Sequence, residues 1–251
     1  MSVQLQQIIE VDCKIEQLDR TSVTELLDLT GVDHDDLLDE HIDFVIDECL
    51  QALKPRGAYK LFNPAICTLP PDYMQPVIKL VGTMMIFKGK DLYEKMRRAK
   101  HCALMAATLG PKPEQDALRE RLCYTELDER IFNACCKVII ERAGDMVNSD
   151  IITRAIDNGL YTDDRFSPGE GDFPIETRSQ IIFYTQAEKR LGLILGANSA
   201  LVPEHSITSV VGMYDKTQKG RRRACGRCKY REFCSIRAIG MNCHGNKGEF
   251  K

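Results

Sequence analysis

Apolar residues recur every three or four positions through DHDDLLDEHIDFVIDECLQALK, at Leu37, Leu38, Ile42, Val45, Ile46, Cys49 and Leu53. That spacing puts them on one stripe of a helix. Pro55 and Gly57 follow and are expected to close it. The pattern then changes. VIKLVGTMMIF, with its short apolar runs, looks strand-rich, and KDLYEKMRRAK returns to a short helix. HCALMAATLG, with small and apolar residues and ending in glycine, predicts a buried strand. From about Glu114 to Ile156 the spacing predicts helix, ended by Asn158-Gly159. After a loop, DDRFSPGEGDFP, the stretch ETRSQIIFYTQAEKRLG predicts one more helix. LGLILGANSALVPEHSITSVVGMYD predicts two or three short strands, with turns at Gly196–Asn198 and at Pro203.

Helices dominate the middle of the chain, and strands cluster late. This predicts an α+β fold, a mixed or antiparallel sheet packed with helices. Residues 1–34 are expected as an N-terminal leader, 35–216 as the main domain, and 217–251 as a basic linker with a small C-terminal metal-binding cysteine module.

Composition adds limits. The chain has 251 residues, 43% hydrophobic and 28% charged, which suits a soluble core-forming protein. A net charge of -3 gives no global attraction to nucleic acid or anionic lipid. No apolar run is long enough for a transmembrane helix, and the first residues lack a secretory pattern, so no membrane partner and a cytoplasmic location are expected.

Cysteine changes the picture most. Of 11 cysteines, seven are scattered among apolar residues, where a free thiol behaves as a small hydrophobe. The other four, Cys225, Cys228, Cys234 and Cys243, lie in ACGRCKYREFCSIRAIGMNC with the spacing C-x2-C-x5-C-x8-C. Four soft thiolates predict one metal centre. A single C-x2-C with unequal spacers points to a [4Fe-4S] cluster, and zinc is the alternative. Arg221, Arg222, Arg223, Arg227, Lys229, Arg231 and Arg237 surround it, offsetting the thiolate charge or meeting an acidic partner. Stacking aromatics at regular spacing are missing, so nucleic acid is not the expected partner.

The second candidate is RFSPGEGDFP. Arg165 offers a planar fork for a carboxylate or phosphate, and Gly169 and Gly171 let a ligand approach the backbone. Glu170 and Asp172 are expected to face a cation, so a zwitterion suits the loop.

RFSPGEGDFP resembles the Arg-x-Ala/Ser-Pro-Gly segment of the activation domain of cobalamin-dependent methionine synthase. The Leu-Gly turn and Pro-x-x-Ser stretch of LGLILGANSALVPEHSITSVVG, the Pro-Arg-Gly segment of LKPRGAYKLFNP, and AATLG are similar to further segments of that family, in the same order. The resemblance runs from about residue 35 to 214. It implies a helmet-like fold binding S-adenosylmethionine. By position, Arg165 would hold the ligand carboxylate, the backbone at Ser167, Pro168 and Gly169 would face its nucleoside, and Val211 and Gly212 would lie where the family places a ligand-contacting tyrosine. This chain departs from the family in having Glu170 after Pro-Gly and Val210-Val211 in place of a Trp-Tyr pair.

Together these readings lead to one expectation. The chain is an S-adenosylmethionine-binding, iron–sulfur partner in the reductive reactivation of a separate corrinoid methyltransferase protein, served by an electron-donor protein. The corrinoid would be carried by the partner, and the readings assign no catalytic residue to this chain. The alternative is a non-catalytic interaction protein with a zinc-bound tail that has lost S-adenosylmethionine.

Overall fold

The computed structural model describes residues 7–27, 36–67 and 77–216. In chain order the elements are β1 (Ile8–Asp12), α1 (Arg20–Leu27), α2 (Asp36–Ala52), β2 (Arg56–Phe62), β3 (Pro64–Cys67), β4 (Val77–Leu80), β5 (Ile86–Phe87), α3 (Lys90–Met96) and β6 (His101–Thr108). They continue with α4 (Lys112–Leu122), α5 (Glu126–Asp157), β7 (Tyr161–Thr162), α6 (Thr177–Thr185), α7 (Ala187–Leu191), β8 (Ile194–Leu195), β9 (Leu201–Val202) and β10 (Ser206–Tyr214).

The main sheet has five strands in the order β1-β2-β6-β10-β7, and every pairing in it is antiparallel. Its central strands are β6 and β10, and from Cys102 onward the whole of β6 is buried. Alternate residues of these strands feed two cores. Tyr59, Leu61, Ala103, Met105, Ala107, Val211 and Met213 face α5. Phe62, Cys102, Leu104 and Val210 face α3, α6 and a three-stranded sheet of β3, β4 and β5. Each large apolar side chain so buried contributes on the order of 2 kcal/mol. The α+β expectation therefore holds, with an antiparallel sheet covered by helices.

The structure revises several local readings. The helical span around residue 114–156 is two helices, because Thr125 starts a new one. Its side chain accepts the N–H of Asp128 while Asp128 accepts the N–H of Thr125, a reciprocal cap. The helix predicted over 176–192 breaks at Gln186, which adopts φ 52. The segment expected as a leader contributes β1, which pairs along β2, and α1, whose Val23 and Leu27 are in the core. Gly57 does not stop α2, which ends at Ala52. It lies inside β2, where a Cβ would sit 2.4 Å from Val147 Cγ2 of α5, so its missing side chain lets the long helix lie close on the sheet.

A candidate ligand cleft between the long helix and a proline–glycine loop

The candidate site is built on α5, which has 32 residues and is roughly 48 Å long. Glu141, Gly144, Asp145 and Asn148 recur at intervals of three and four, so they form one stripe on its surface. Facing this stripe is the loop at 163–174, and beside it is β10.

Arg165 lies across the stripe. Its Nη2 is 3.0 Å from Glu141 Oε2 and 2.8 Å from Asp145 Oδ1. Nη1 rests directly over Gly144, where an added Cβ would meet it at 2.2 Å and meet Ile207 Cδ1 of β10 at 2.2 Å. The guanidinium is thus sunk, its side chain 16% exposed, whereas the two carboxylates are 65% and 70% exposed. Partial burial strengthens the attraction of this charge for an anion relative to open water. Both ion pairs run through Nη2, which leaves Nη1 and Nε for a further acceptor. Opposite charges therefore lie side by side on the surface of α5.

The loop that carries Arg165 is held at both ends by α3. At its start Asp163, 8% exposed, pairs with Lys95 at 3.3 Å. Lys95 also lies 5.1 Å from the Phe166 ring centroid. Phe166 exchanges backbone hydrogen bonds with Val210 and stacks on Phe173 at 5.5 Å. At the other end Asp172 accepts the N–H of Lys90 at 2.5 Å and of Asp91 at 3.1 Å. Asp172 was expected to face a cation. It instead caps α3, because the first N–H groups of a helix need acceptors and Gly89 has no side chain to supply one.

Ser167 and Pro168 follow Arg165 in the loop. Ser167 Oγ shares a hydrogen bond with Ser209 Oγ of β10 at 2.9 Å, and Pro168 is buried. Gly169 is exposed, has φ 99, and donates its N–H to the Phe173 carbonyl. Val211 and Gly212 are not brought to this surface. Val211 is fully buried against α5. Gly212 is buried too; its carbonyl accepts from Asp163, and its missing Cβ leaves room for the Tyr214 ring. That ring is also inside, its hydroxyl donating to the Lys95 carbonyl at 2.8 Å. Sequence reasoning did not single out Glu141, Gly144, Asp145, Asn148 or Ser209. The signal was present as two acids at i and i+4 flanking a mid-helix glycine, a residue that costs helix stability without a packing reason.

Among the described residues no group of three or more His, Cys, Asp or Glu side chains is arranged to hold a metal ion. Cys225, Cys228, Cys234 and Cys243 lie outside the described residues. Of the scattered cysteines, Cys13, Cys49, Cys102, Cys135 and Cys136 are buried, as their apolar neighbours implied. No helix among the described residues is long and apolar enough to cross a membrane.

The chain shares its fold with a solved structure, the MetH reactivation domain bound to AdoHcy. The TM-score is 0.56 at 15% identity, over 95% of this chain and 87% of that one. This defines an α+β protein with the reactivation-domain fold. No family model matches the chain, and no curated protein matches its sequence.

Proposed function

We propose that this chain binds S-adenosylmethionine, or its demethylated product, in the cleft between α5 and the loop at 163–174. The observation that carries this reading is the sunken guanidinium of Arg165 beside Glu141 and Asp145. An amino-acid terminus presents a carboxylate and an ammonium on one carbon. Arg165 takes the first through Nη1 and Nε, and the two acids take the second. Support comes from the solved structure of the same fold, which holds AdoHcy.

The role that follows is that of a stand-alone partner for a separate corrinoid methyltransferase protein. S-adenosylmethionine supplies a methyl group, and this chain's part is to bind and orient it. The donor set Cys225, Cys228, Cys234 and Cys243 fits a [4Fe-4S] cluster, which supplies one-electron chemistry when bound. Zinc on the same thiolates belongs to the second reading, an interaction protein without S-adenosylmethionine. That reading draws on Glu170 and on the burial of Val211, which leave those two positions without an aromatic ligand contact.

Calorimetric titration of wild type and Arg165→Ala tests the first reading. Loss of the charged hydrogen bonds is expected to cost about 1.5–3 kcal/mol, about ten- to a hundredfold in affinity. No heat and no thermal shift in wild type at millimolar ligand overturns it. Iron and zinc analysis of anaerobically purified protein decides the cofactor. Stoichiometric zinc without iron favours the second reading.

A further inference from the structure

His41, Phe44 and Glu48 recur at three and four residues along α2 and so share one of its faces. With Arg121 and Leu122 of α4, Tyr124 of the next turn and Asp128 of α5, they line a pocket of about 260 Å³. Asp128 and Glu141 lie almost four turns apart on α5, roughly 20 Å, so this pocket is separate from the site at Arg165.

Aromatic rings dominate the lining. Phe44 is 51% exposed and Tyr124 is 83% exposed, so neither ring is used by the core. The His41 ring lies nearly parallel to Phe44, with 6.5 Å between centroids and 20° between planes. Leu122, which is buried, adds an apolar group.

The charged groups of the pocket are already engaged. Asp128 Oδ1 is 2.7 Å from His41 Nε2, and its Oδ2 accepts the N–H groups of Tyr124 and Thr125. Glu48 Oε2 is 2.6 Å from Arg121 Nη2. Two carboxylates thus face one guanidinium. The helix that carries Glu48 has five further acids and no lysine or arginine, and of these Glu40 and Asp47 are exposed. The field at the pocket is negative.

This combination selects a ligand. An anion is repelled. A metal ion needs several oxygen ligands, and among the described residues no group of three or more acids, histidines or cysteines is arranged to hold one. A primary ammonium needs three acceptors, whereas Asp128 has both oxygens in use and Glu48 has one. A fully methylated ammonium needs no acceptor. Its charge is drawn to the negative field and to ring faces, and its methyl groups fill apolar space.

We infer that the pocket between α2 and the α4–α5 turn is a binding site for a methylated ammonium head group. Phe44 and Tyr124 supply the ring faces, and Glu48 and Asp128 supply the negative charge.

The test separates charge from shape. Choline and its neutral isostere 3,3-dimethylbutanol, with carbon in place of nitrogen, are titrated into the full chain and followed by amide NMR shifts. Wild type is expected to bind choline in the millimolar range and the neutral alcohol about three- to thirtyfold more weakly. Phe44→Leu and Tyr124→Leu keep apolar bulk but remove a ring. Each is expected to shrink that preference, and the double variant to abolish it, while Phe44→Tyr keeps it. Both side chains are exposed, so the variants should melt like wild type. Equal affinity of wild type for the two ligands overturns the inference, as does a choline preference that survives the double variant. No choline-induced shift at tens of millimolar also overturns it. A peptide carrying trimethyllysine, titrated beside its unmodified form, identifies the source of the head group. Preference for the methylated peptide assigns it to a partner's lysine, and choline binding without that preference assigns it to a small molecule.

Discussion

Gly144 and Arg165 are in such close contact that a single methyl group on Gly144 would stand 2.2 Å from the arginine's Nη1. Both atoms that such a methyl would meet, Arg165 Nη1 and Ile207 Cδ1, are ends of side chains that can move. Gly144 is also helical, and alanine is favoured over glycine inside a helix by up to about 1 kcal/mol. Gly144→Ala is therefore expected to change folding stability by less than about 1 kcal/mol while displacing the guanidinium. Its affinity for S-adenosylhomocysteine should fall about tenfold or more, near that of Arg165→Ala. Urea unfolding together with calorimetric titration separates the two effects. Unchanged affinity would count against Arg165 as the anchor.

The two acids that hold Arg165 are exposed, so their attraction is open to salt. Glu141→Gln with Asp145→Asn removes the ammonium site but leaves the arginine. A ligand with both carboxylate and ammonium should bind more weakly to this variant, whereas an analogue lacking the amino group should bind as well as before or better. Titration of both ligands into both proteins checks this difference.

Asp172 is the cap of a helix far from it in sequence, accepting N–H groups of Lys90 and Asp91. Removing a capping carboxylate costs about 1 kcal/mol. Asp172→Ala is expected to lower stability by that amount and to loosen the loop that carries Arg165. Ligand affinity should fall modestly with it, although Asp172 bonds α3 and not Arg165. Urea midpoints and titration give both numbers.

Asp128 provides a pH signature. Burial acts to raise its pKa, but the His41 ring at 2.7 Å, Thr125 and the N–H of Tyr124 outweigh that and hold it below the ordinary carboxylate value. A depressed folded pKa gives stability that is complete above the unfolded value, near 3.8, and is lost as pH falls through the folded one. Asp128→Asn should therefore be less stable than wild type at neutral pH and converge with it in acid. Thermal unfolding of both proteins across that range is the measurement.

The thiols offer a further check. Burial pushes Cys13 up to about 11, with the charge of Asp12 adding to it, and burial pushes Cys123 to about 11. The thiolate is the reactive form, so both should label slowly at neutral pH. Under the proposed metal centre, Cys225, Cys228, Cys234 and Cys243 should be protected until the metal is removed. Mass spectrometry after brief alkylation, before and after chelation, tests this. Rapid labelling of all four in metal-loaded protein would rule out their ligation.

Much of the fold was legible in the sequence because burial on one face leaves a period. The stripe from Leu38 to Cys49 is the buried face of α2, with Leu37 exposed and Leu53 buried just past the helix end, and the apolar run from Cys102 is the central strand β6. Arg165, Ser167 and the Pro-Gly turn stood out for the same kind of reason, since unusual residues in a short span are a local signal. What stayed hidden was whatever depends on distant residues meeting. Glu141 and Asp145 were not singled out until Arg165 is laid across them, and Asp172 read as a group facing a cation until α3 is seen to begin against it. Val211 lay where the family resemblance places a ligand contact, yet the pleat of β10 turns it into the core. Side-chain period can be counted along one chain, so it is set by sequence. The pairing of a charge with its partner depends on which surfaces the sheet and the long helix bring together, and that is decided only when the chain has folded.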